Sequence, residues 1–382
     1  MDFTATILQT TDVHCQIHAH DEFFWESEQP VFRKCGGYDL LKTKIDALRQ
    51  KNPSTLLIDT GDMFQGSQLS VETEGEALVG ILNALKYDLY VPGNWEVVYG
   101  KDQMIKLLKA LNGPVICANM HHDKKGLPGE LVFKPYHIWQ VNGIKIGILG
   151  YTDPLVPMRQ SPAYSEGLKF SNPEDTLPHY VEELKGKKKV DFLIIACHLG
   201  LSQEIALSNH PSTKGVDWIL GGDTHERVRR PLRGKMCPVV EPGAFGSFIG
   251  KLDLSFNERK ISRRRYKLIE VASEKIKADE EVSLLISKVE KPYLQKLNKI
   301  IGTSKTPLYR YFVIENPIDT LVTEALKWKF PEIDIAISNG FRFCPPLVTQ
   351  DGQGLIQIPL SYLYDMLPVD SAIKTGEVTG KQ

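Results

Sequence analysis

The feature that most limits what this chain can become is a unit that recurs up to His225: a short, apolar, β-branched run that stops abruptly in small or polar residues. Residues 3–8 form the first run, too short for a helix before Thr10-Thr11-Asp12-Val13-His14, and read as a buried strand. Residues 55–59 form the second and end in Thr60-Gly61-Asp62; residues 88–91 form the third and break at Pro92-Gly93-Asn94-Trp95-Glu96. Runs at 114–117, 144–149, 192–196 and 218–220 follow. They end at Ala118-Asn119, Gly150-Tyr151-Thr152, His198-Leu199-Gly200 and Gly221-Gly222-Asp223-Thr224-His225. Helical patterns lie between them: Leu40, Leu41, Ile45 and Leu48 share one face after Cys35-Gly36-Gly37, and another amphipathic stretch covers residues 76–85. Strands alternating with helices predict an α/β sheet covered on its faces. In such a sheet the polar strand ends fall in the crevice where ligands bind.

The residues at those ends share a chemistry: Asp12 with His14, then Asp62, Asn94, His198, and Asp223 with His225. A carboxylate and an imidazole two positions apart can hold one cation through an oxygen and a nitrogen. Any one of these residues alone is an ordinary turn former; the same layout at five strand ends is a site. Carboxylate, amide and imidazole donors together suit Mn²⁺, Zn²⁺ or Fe²⁺ rather than an all-oxygen calcium cage. Two such ions about 3.5–4 Å apart generate a hydroxide and clamp a tetrahedral anion.

Composition narrows the class further. The net charge of -1 gives no bulk attraction to a nucleic acid polymer or an anionic membrane, and the run Arg263-Arg264-Arg265 reads as a solvated face. No apolar segment approaches the roughly 20 residues of a membrane span. Met1 leads almost directly into the first strand, so no signal peptide is read. The chain as written is expected to be cytoplasmic, and periplasmic or extracellular if a leader is missing. Six cysteines without C-x-x-C spacing argue against a zinc ribbon or a disulfide scaffold. Cys117 and Cys197 fall in apolar runs and read as buried thiols. A length of 382 residues suggests about two domains.

The ordered stretches TTDVH, CGGYDLL, DTGDMFQGS, PGNWEVVYG, CANM, ACHLG and GGDTHER resemble the calcineurin-like metallophosphoesterases. Within them the sequence is similar to the bacterial 5′-nucleotidase branch, with its UDP-sugar hydrolases and 2′,3′-cyclic nucleotide phosphodiesterases. GTSKTPLYR, ENPIDTLVTEAL and SNGFRF extend the resemblance towards the end of the chain. It implies a four-layer α/β sandwich over residues 1–260, a linker helix at 261–300 and a partial α+β C-terminal domain at 301–382. It also implies two divalent metal ions. Asp12, His14 and His225 would hold one, Asn94, His198 and Asp223 the other, and Asp62 would bridge. The substrate implied is a small phosphate ester or nucleotide, attacked by a metal-bridging hydroxide and oriented by Arg342, with Asn119 and Trp95 lining the pocket.

Two departures qualify that implication. The family's G-N-H-E-x-D reads Gly93-Asn94-Trp95-Glu96-Val97-Val98, so a tryptophan replaces the histidine that assists the leaving oxygen. Its indole donates one N–H and cannot act as a general acid. Asp223 stands where the family has G-G-H-T-H, and an added carboxylate favours a harder ion such as Mn²⁺. The G-N-W-E variant is similar to the thiosulfohydrolases of this branch, which release sulfate from a cysteine-bound sulfane on a carrier protein. The Gly340-Phe341-Arg342 segment, in place of the nucleotidase G-G-I-R, points the same way. A thiosulfohydrolase with a sulfur-carrier partner, and a non-catalytic metal-binding relative, are therefore the alternatives.

In the last third, Val282, Leu285, Ile286, Val289, Tyr293 and Leu297 recur at helical spacing, predicting a helix bent near Pro292. Tyr362 and Tyr364 read as strand packing. Leu367-Pro368-Val369-Asp370 stands where the nucleotidases carry P-F-G-N, so their first base-stacking aromatic is Val369 here. The ending at Gln382 reads as that of a truncated chain.

Overall fold

The computed structural model describes residues 2–311, 315–338, 344–349, 354–369 and 372–381. Two sheets form its centre. In the first, Phe3–Thr10 lies between the parallel strand Thr55–Asp59 and the antiparallel strand Phe248–Asn257, with Leu89–Tyr90 and Lys260–Glu270 at the outside. In the second, Phe192–His198 runs parallel to both Ile144–Thr152 and Trp218–Leu220. Tyr136–Val141, Pro238–Val240 and Leu232–Arg233 complete it.

Side chains alternate faces along a strand, and here both faces are apolar. Ile7, Leu56 and Ile58 of the first sheet share a core with Ile146, Ile148, Ile194 and Ala196 of the second. The opposite face of the first sheet, carrying Leu8 and Leu57, packs on helices Tyr38–Lys51 and Glu76–Leu85 through Leu41, Ile45, Ile81 and Leu85. The opposite face of the second, carrying Leu193, Ile195 and Cys197, packs on Pro173–Val181 and Leu201–Asn209 through Leu177 and Leu207. Helix, sheet, sheet, helix are the four expected layers. Slipping Phe192–His198 by one residue would exchange Ile194 and Ile195 between two apolar cores at little burial cost. The polar terminators therefore fix the register more than burial does.

Several expectations need correction. Residues 114–117 are not a strand; they make only the isolated bridges Tyr90–Val115 and Ile116–Lys134, consistent with a proline that cannot donate to a ladder. The third strand shrinks to Leu89–Tyr90. The boundary drawn at residue 260 falls inside the hairpin formed by Phe248–Asn257 and Lys260–Glu270. Helix Glu280–Glu290 buries Val282 and Ile286 in the same core as Leu41 and Ile81, and it stops before Pro292 rather than bending there. Tyr362 lies on helix Leu360–Met366, not on a strand, and its hydroxyl donates to the Leu308 carbonyl.

The C-terminal part pairs Ile300–Ser304 with Ile356–Pro359 and adds helix Pro317–Lys329, capped by Asn316 Oδ1 accepting from Asp319 N at 3.0 Å. Leu308, Ile318, Cys344, Tyr362 and Met366 form its small core. All six cysteines are buried. Among the described residues no helix is long and apolar enough to cross a membrane.

Candidate metal centre

Five strand ends deliver the candidate donors. Phe3–Thr10 runs out into Asp12 and His14, Thr55–Asp59 into Asp62, and Leu89–Tyr90 into Asn94. His198 closes its own strand, and Trp218–Leu220 leads to Asp223 and His225. The chain turns sharply at these points. Asp12, His14, Asp62, Asp223 and His225 have φ of 52°, 49°, 60°, 95° and 62°. Each left-handed non-glycine residue costs about 1–3 kcal/mol and persists only where its surroundings over-determine it.

The surroundings do so here. Asp12 N donates to the Gly61 carbonyl at 2.8 Å, and His14 N to the Asp62 carbonyl at 3.0 Å. Gly61 itself has φ 110°, and a Cβ there would stand 2.5 Å from Gly93 N, so only glycine lets the two loops approach. The fully buried Glu96 joins the same loops by accepting from Asp62 N at 3.0 Å, Met63 N at 2.7 Å and Gly93 N. Trp95 N in turn donates to Asp62 Oδ1 at 2.8 Å.

The side chains then converge. His225 Nε2 is 3.3 Å and His198 Nε2 3.6 Å from Asp12 Oδ1. Asp62 Oδ2 lies 3.2 Å from His198 Nε2 and 3.5 Å from His14 Nε2. Two compact donor groups result, Asp12 with His14 and His225, and Asp12 with Asp62 and His198; within each, the donor atoms lie within 4.8 Å of one another. Asp12 is common to both, while Asp62 touches a histidine from each.

In His14 and His198 the ring nitrogen facing away is committed. His14 Nδ1 is 2.8 Å from the Gln65 carbonyl, and His198 Nδ1 is 2.7 Å from the Thr60 carbonyl. A ring that donates through Nδ1 presents the Nε2 lone pair inward, as a metal-ligating histidine must. Meanwhile Asp12 Oδ1, Asn94 Oδ1 and His198 Nε2 are buried without a hydrogen-bond partner among the described residues. Such atoms cost about 1–3 kcal/mol each unless something else satisfies them.

The electrostatics agree. Burial would raise the Asp12 carboxyl, yet the charges of His198, His225 and His14 hold it well below the usual carboxylate range. Burial would equally depress His198, yet Asp62 and Asp12 push it well above the usual imidazole value. The space between these groups favours positive charge. A divalent cation fits it in charge, donor type and spacing.

Not every expected residue joins. Asp223 Oδ1 is 3.9 Å from His198 Nε2 but belongs to neither compact group. Its carboxylate is taken by Arg159, whose Nη2 reaches Oδ2 at 3.1 Å and Oδ1 at 3.4 Å, while Nη1 reaches Oδ2 at 3.1 Å. The Asn119 amide is engaged on every side away from the donor groups. Nδ2 donates to the Thr152 and Ser171 carbonyls at 2.7 and 3.1 Å, and Oδ1 accepts from Thr152 N at 3.0 Å. Gly340, Phe341 and Arg342 lie outside the described residues, as does Asp370.

Sequence reasoning missed Glu96 and Arg159. The first stood in plain view in the G-N-W-E quartet; the second is a lone arginine after a proline-containing turn and carried no signal.

Residues 5–227, more than half of the chain, match the calcineurin-like phosphoesterase family. The chain belongs to that family. Among curated relatives it is similar to the trifunctional nucleotide phosphoesterase YfkN of Bacillus subtilis, 24% identical over 85% of this chain and 25% of that protein. It is 30% identical to human 5′-nucleotidase over 66% of this chain and 47% of that one. The chain thus spans a quarter to about half of the length of these relatives. Among solved structures, Thermus thermophilus sulfate thiohydrolase SoxB superposes with a TM-score of 0.84 at 23% identity, covering 94% of this chain and 73% of that one. The 5′-nucleotidase precursor of the same organism gives 0.76 at 21% identity, with 96% and 74% covered. These likenesses establish the calcineurin-like sandwich with its C-terminal part.

Proposed function

We propose that this chain hydrolyses a phosphate ester, with nucleotides as the substrate class, at a two-cation centre formed by the five strand ends. The observation that carries the reading is the convergence of Asp12, His14, Asp62, His198 and His225, with buried donor atoms that take no hydrogen bond among the described residues. Family membership and nucleotide-cleaving relatives support it.

In this reading Asp12, His14 and His225 hold one cation, and Asn94, His198 and Asp223 face the other. Asp62, within reach of His14 and His198, lies between them. Two divalent ions here would supply water acidified to react at neutral pH and the positive charge that a tetrahedral oxyanion requires. Mn²⁺, Zn²⁺ and Fe²⁺ all suit the donors, and the third carboxylate tilts preference to Mn²⁺. The Gln65 and Thr60 carbonyls keep the imidazoles aimed, and Glu96 and the Trp95 N–H keep Asp62 aimed. Arg342, with its planar fork, is assigned to the substrate anion, and Trp95 to the wall of the pocket. Asn119 drops out of the pocket assignment.

Trp95 specifically favours a second reading. Without an acidic side chain at this position, the leaving group must depart with little protonation, which a thiolate tolerates better than an alkoxide. Release of sulfate from a cysteine-bound sulfane on a carrier protein meets that condition. The test is hydrolysis after Mn²⁺ loading of AMP, bis-p-nitrophenyl phosphate and a thiosulfonated cysteine peptide, for wild type and Asp62→Ala. Phosphate release abolished in Asp62→Ala supports the phosphoesterase; sulfate release alone moves the chain to the second reading. Stoichiometric metal with no turnover on any substrate leaves a metal-binding relative.

A further inference from the structure

The two halves of the candidate centre are held differently. Asp12, which both donor groups share, is held at Oδ2 by neutral donors, Thr11 Oγ1 at 2.7 Å and Asp223 N at 3.0 Å, and its Oδ1 takes no hydrogen bond among the described residues. The Asp223 carboxylate, by contrast, sits in a guanidinium fork. That fork cannot easily swing away. Arg159 Nη1 also donates to Asp153 Oδ2 at 2.6 Å, and the fully buried Asp153 is itself fixed by Leu155 N at 3.0 Å and Gln203 Nε2 at 3.2 Å. Arg159 closes the short helix Val156–Arg159 after strand Ile144–Thr152, and its side chain is about one-third exposed at 35%.

We propose that Arg159 is a positioning residue for the second cation site: by gripping Asp223 it sets that site's affinity below that of the Asp12, His14 and His225 site, so that the two cations load in sequence. The inference rests on the two-cation reading above. Its physics is direct. A carboxylate already in charge-assisted bidentate hydrogen bonds offers less negative charge to a metal, and a fixed positive charge beside the position repels a divalent ion. Together Asp223 and Arg159 carry no net charge. The second site therefore gains a carboxylate oxygen without gaining the attraction a free carboxylate would bring. Asp223 also stands outside both compact donor groups, the second of which is made by Asp12, Asp62 and His198.

The test is Mn²⁺ titration of the metal-free full chain by calorimetry, with electron paramagnetic resonance at each stage, for wild type, Arg159→Met and Arg159→Lys. The wild type is expected to bind one ion tightly with an uncoupled six-line signal. A second ion should follow with a Kd weaker by about tenfold or more, the scale on which groups around a ligand move metal affinity. Exchange coupling should appear only with the second ion. Arg159→Met should tighten the second step by about tenfold and leave the first unchanged. Arg159→Lys, which keeps the charge and loses the fork, should fall between.

A tight first step with a second step that is the same in all three proteins overturns this inference alone, as do two indistinguishable steps in wild type. No tight step in wild type removes the two-cation reading, and this inference with it. Should Arg159→Met fail to fold, the lysine variant decides: an unchanged second Kd overturns the proposal, and a tightened one supports it.

Discussion

Asn94 and Asn119 look alike in the sequence, each a polar residue just past an apolar run, and the structure uses them in opposite ways. Both are buried. Asn94 Oδ1 accepts nothing from the described residues, beside loops that already hold Asp62. Asn119 binds the Thr152 carbonyl, the Thr152 N–H and the Ser171 carbonyl, and so ties the end of strand Ile144–Thr152 to the segment beside it. Strand-end polar residues are thus of two kinds. A fastener completes its hydrogen bonds within the protein. In the two-cation reading a ligand is buried with them incomplete, a state that costs about 1–3 kcal/mol per atom and that an ion would relieve. Asp12 Oδ1 and His198 Nε2 fall with Asn94 on the ligand side.

The largest effect expected from this division is at Asp12, whose carboxylate both donor groups share. Asp12→Asn removes that negative charge while keeping the shape. Cation binding, read by elemental analysis after dialysis, and ester hydrolysis should both be lost, with the fold retained by circular dichroism. Two ions held at wild-type affinity would break the comparison at its strongest point. The asparagines themselves give the paired test. Asn94→Ala should lower metal affinity or turnover roughly 10–100-fold with little change in unfolding free energy. Asn119→Ala should do the reverse, costing ~2–4 kcal/mol by stranding buried backbone groups while turnover per folded molecule holds. If both variants lost activity without losing stability, Asn119 would be a ligand after all.

How much of this was legible in the sequence follows from how local each signal is. Strand and polar terminator are neighbours in the chain, so Asp12, His14, Asp62, Asn94, His198 and His225 stand out together as candidates. The solvated reading of Arg263-Arg264-Arg265 was equally local, and all three are exposed on the outer strand Lys260–Glu270. What stayed hidden is set by distance. Arg159 meets Asp223 across 64 positions, and a single ion pair leaves no periodic trace. The hairpin of His20–Glu26 and Gln29–Cys35 lies outside the two main sheets and lacks their continuous apolar run. Residues 114–117 failed for the opposite reason: their apolar pattern was clear, and only pairing in space could show that they bridge without joining a ladder.

Asp59 sharpens the division, because it is a carboxylate at the same strand end as Asp62 and behaves as a fastener. It is fully buried, accepting from Thr10 Oγ1 at 2.6 Å through one oxygen and from Gly61 N at 2.9 Å through the other; Thr10 Oγ1 is also 2.8 Å from the Tyr87 hydroxyl. Burial, helped by the charges of Glu96 and Asp12 and opposed by the two hydrogen bonds, raises its pKa to about 8. The folded protein then keeps a proton that the unfolded chain releases near the ordinary value of 3.8. Between those values the native state binds the extra proton, so its stability falls as pH rises, at a slope approaching ~1.4 kcal/mol per pH unit, and levels off above the folded value. Asp59→Asn has nothing to titrate, yet its amide can donate to Thr10 and its carbonyl can accept from Gly61. Its stability relative to wild type should therefore grow as pH is raised from about 4 to about 8 in denaturant melts, with the cation centre intact. Parallel pH profiles for the two proteins would mean that Asp59 carries its charge in the folded state, in which case burial of a complete hydrogen-bond set would not distinguish it from Asp62.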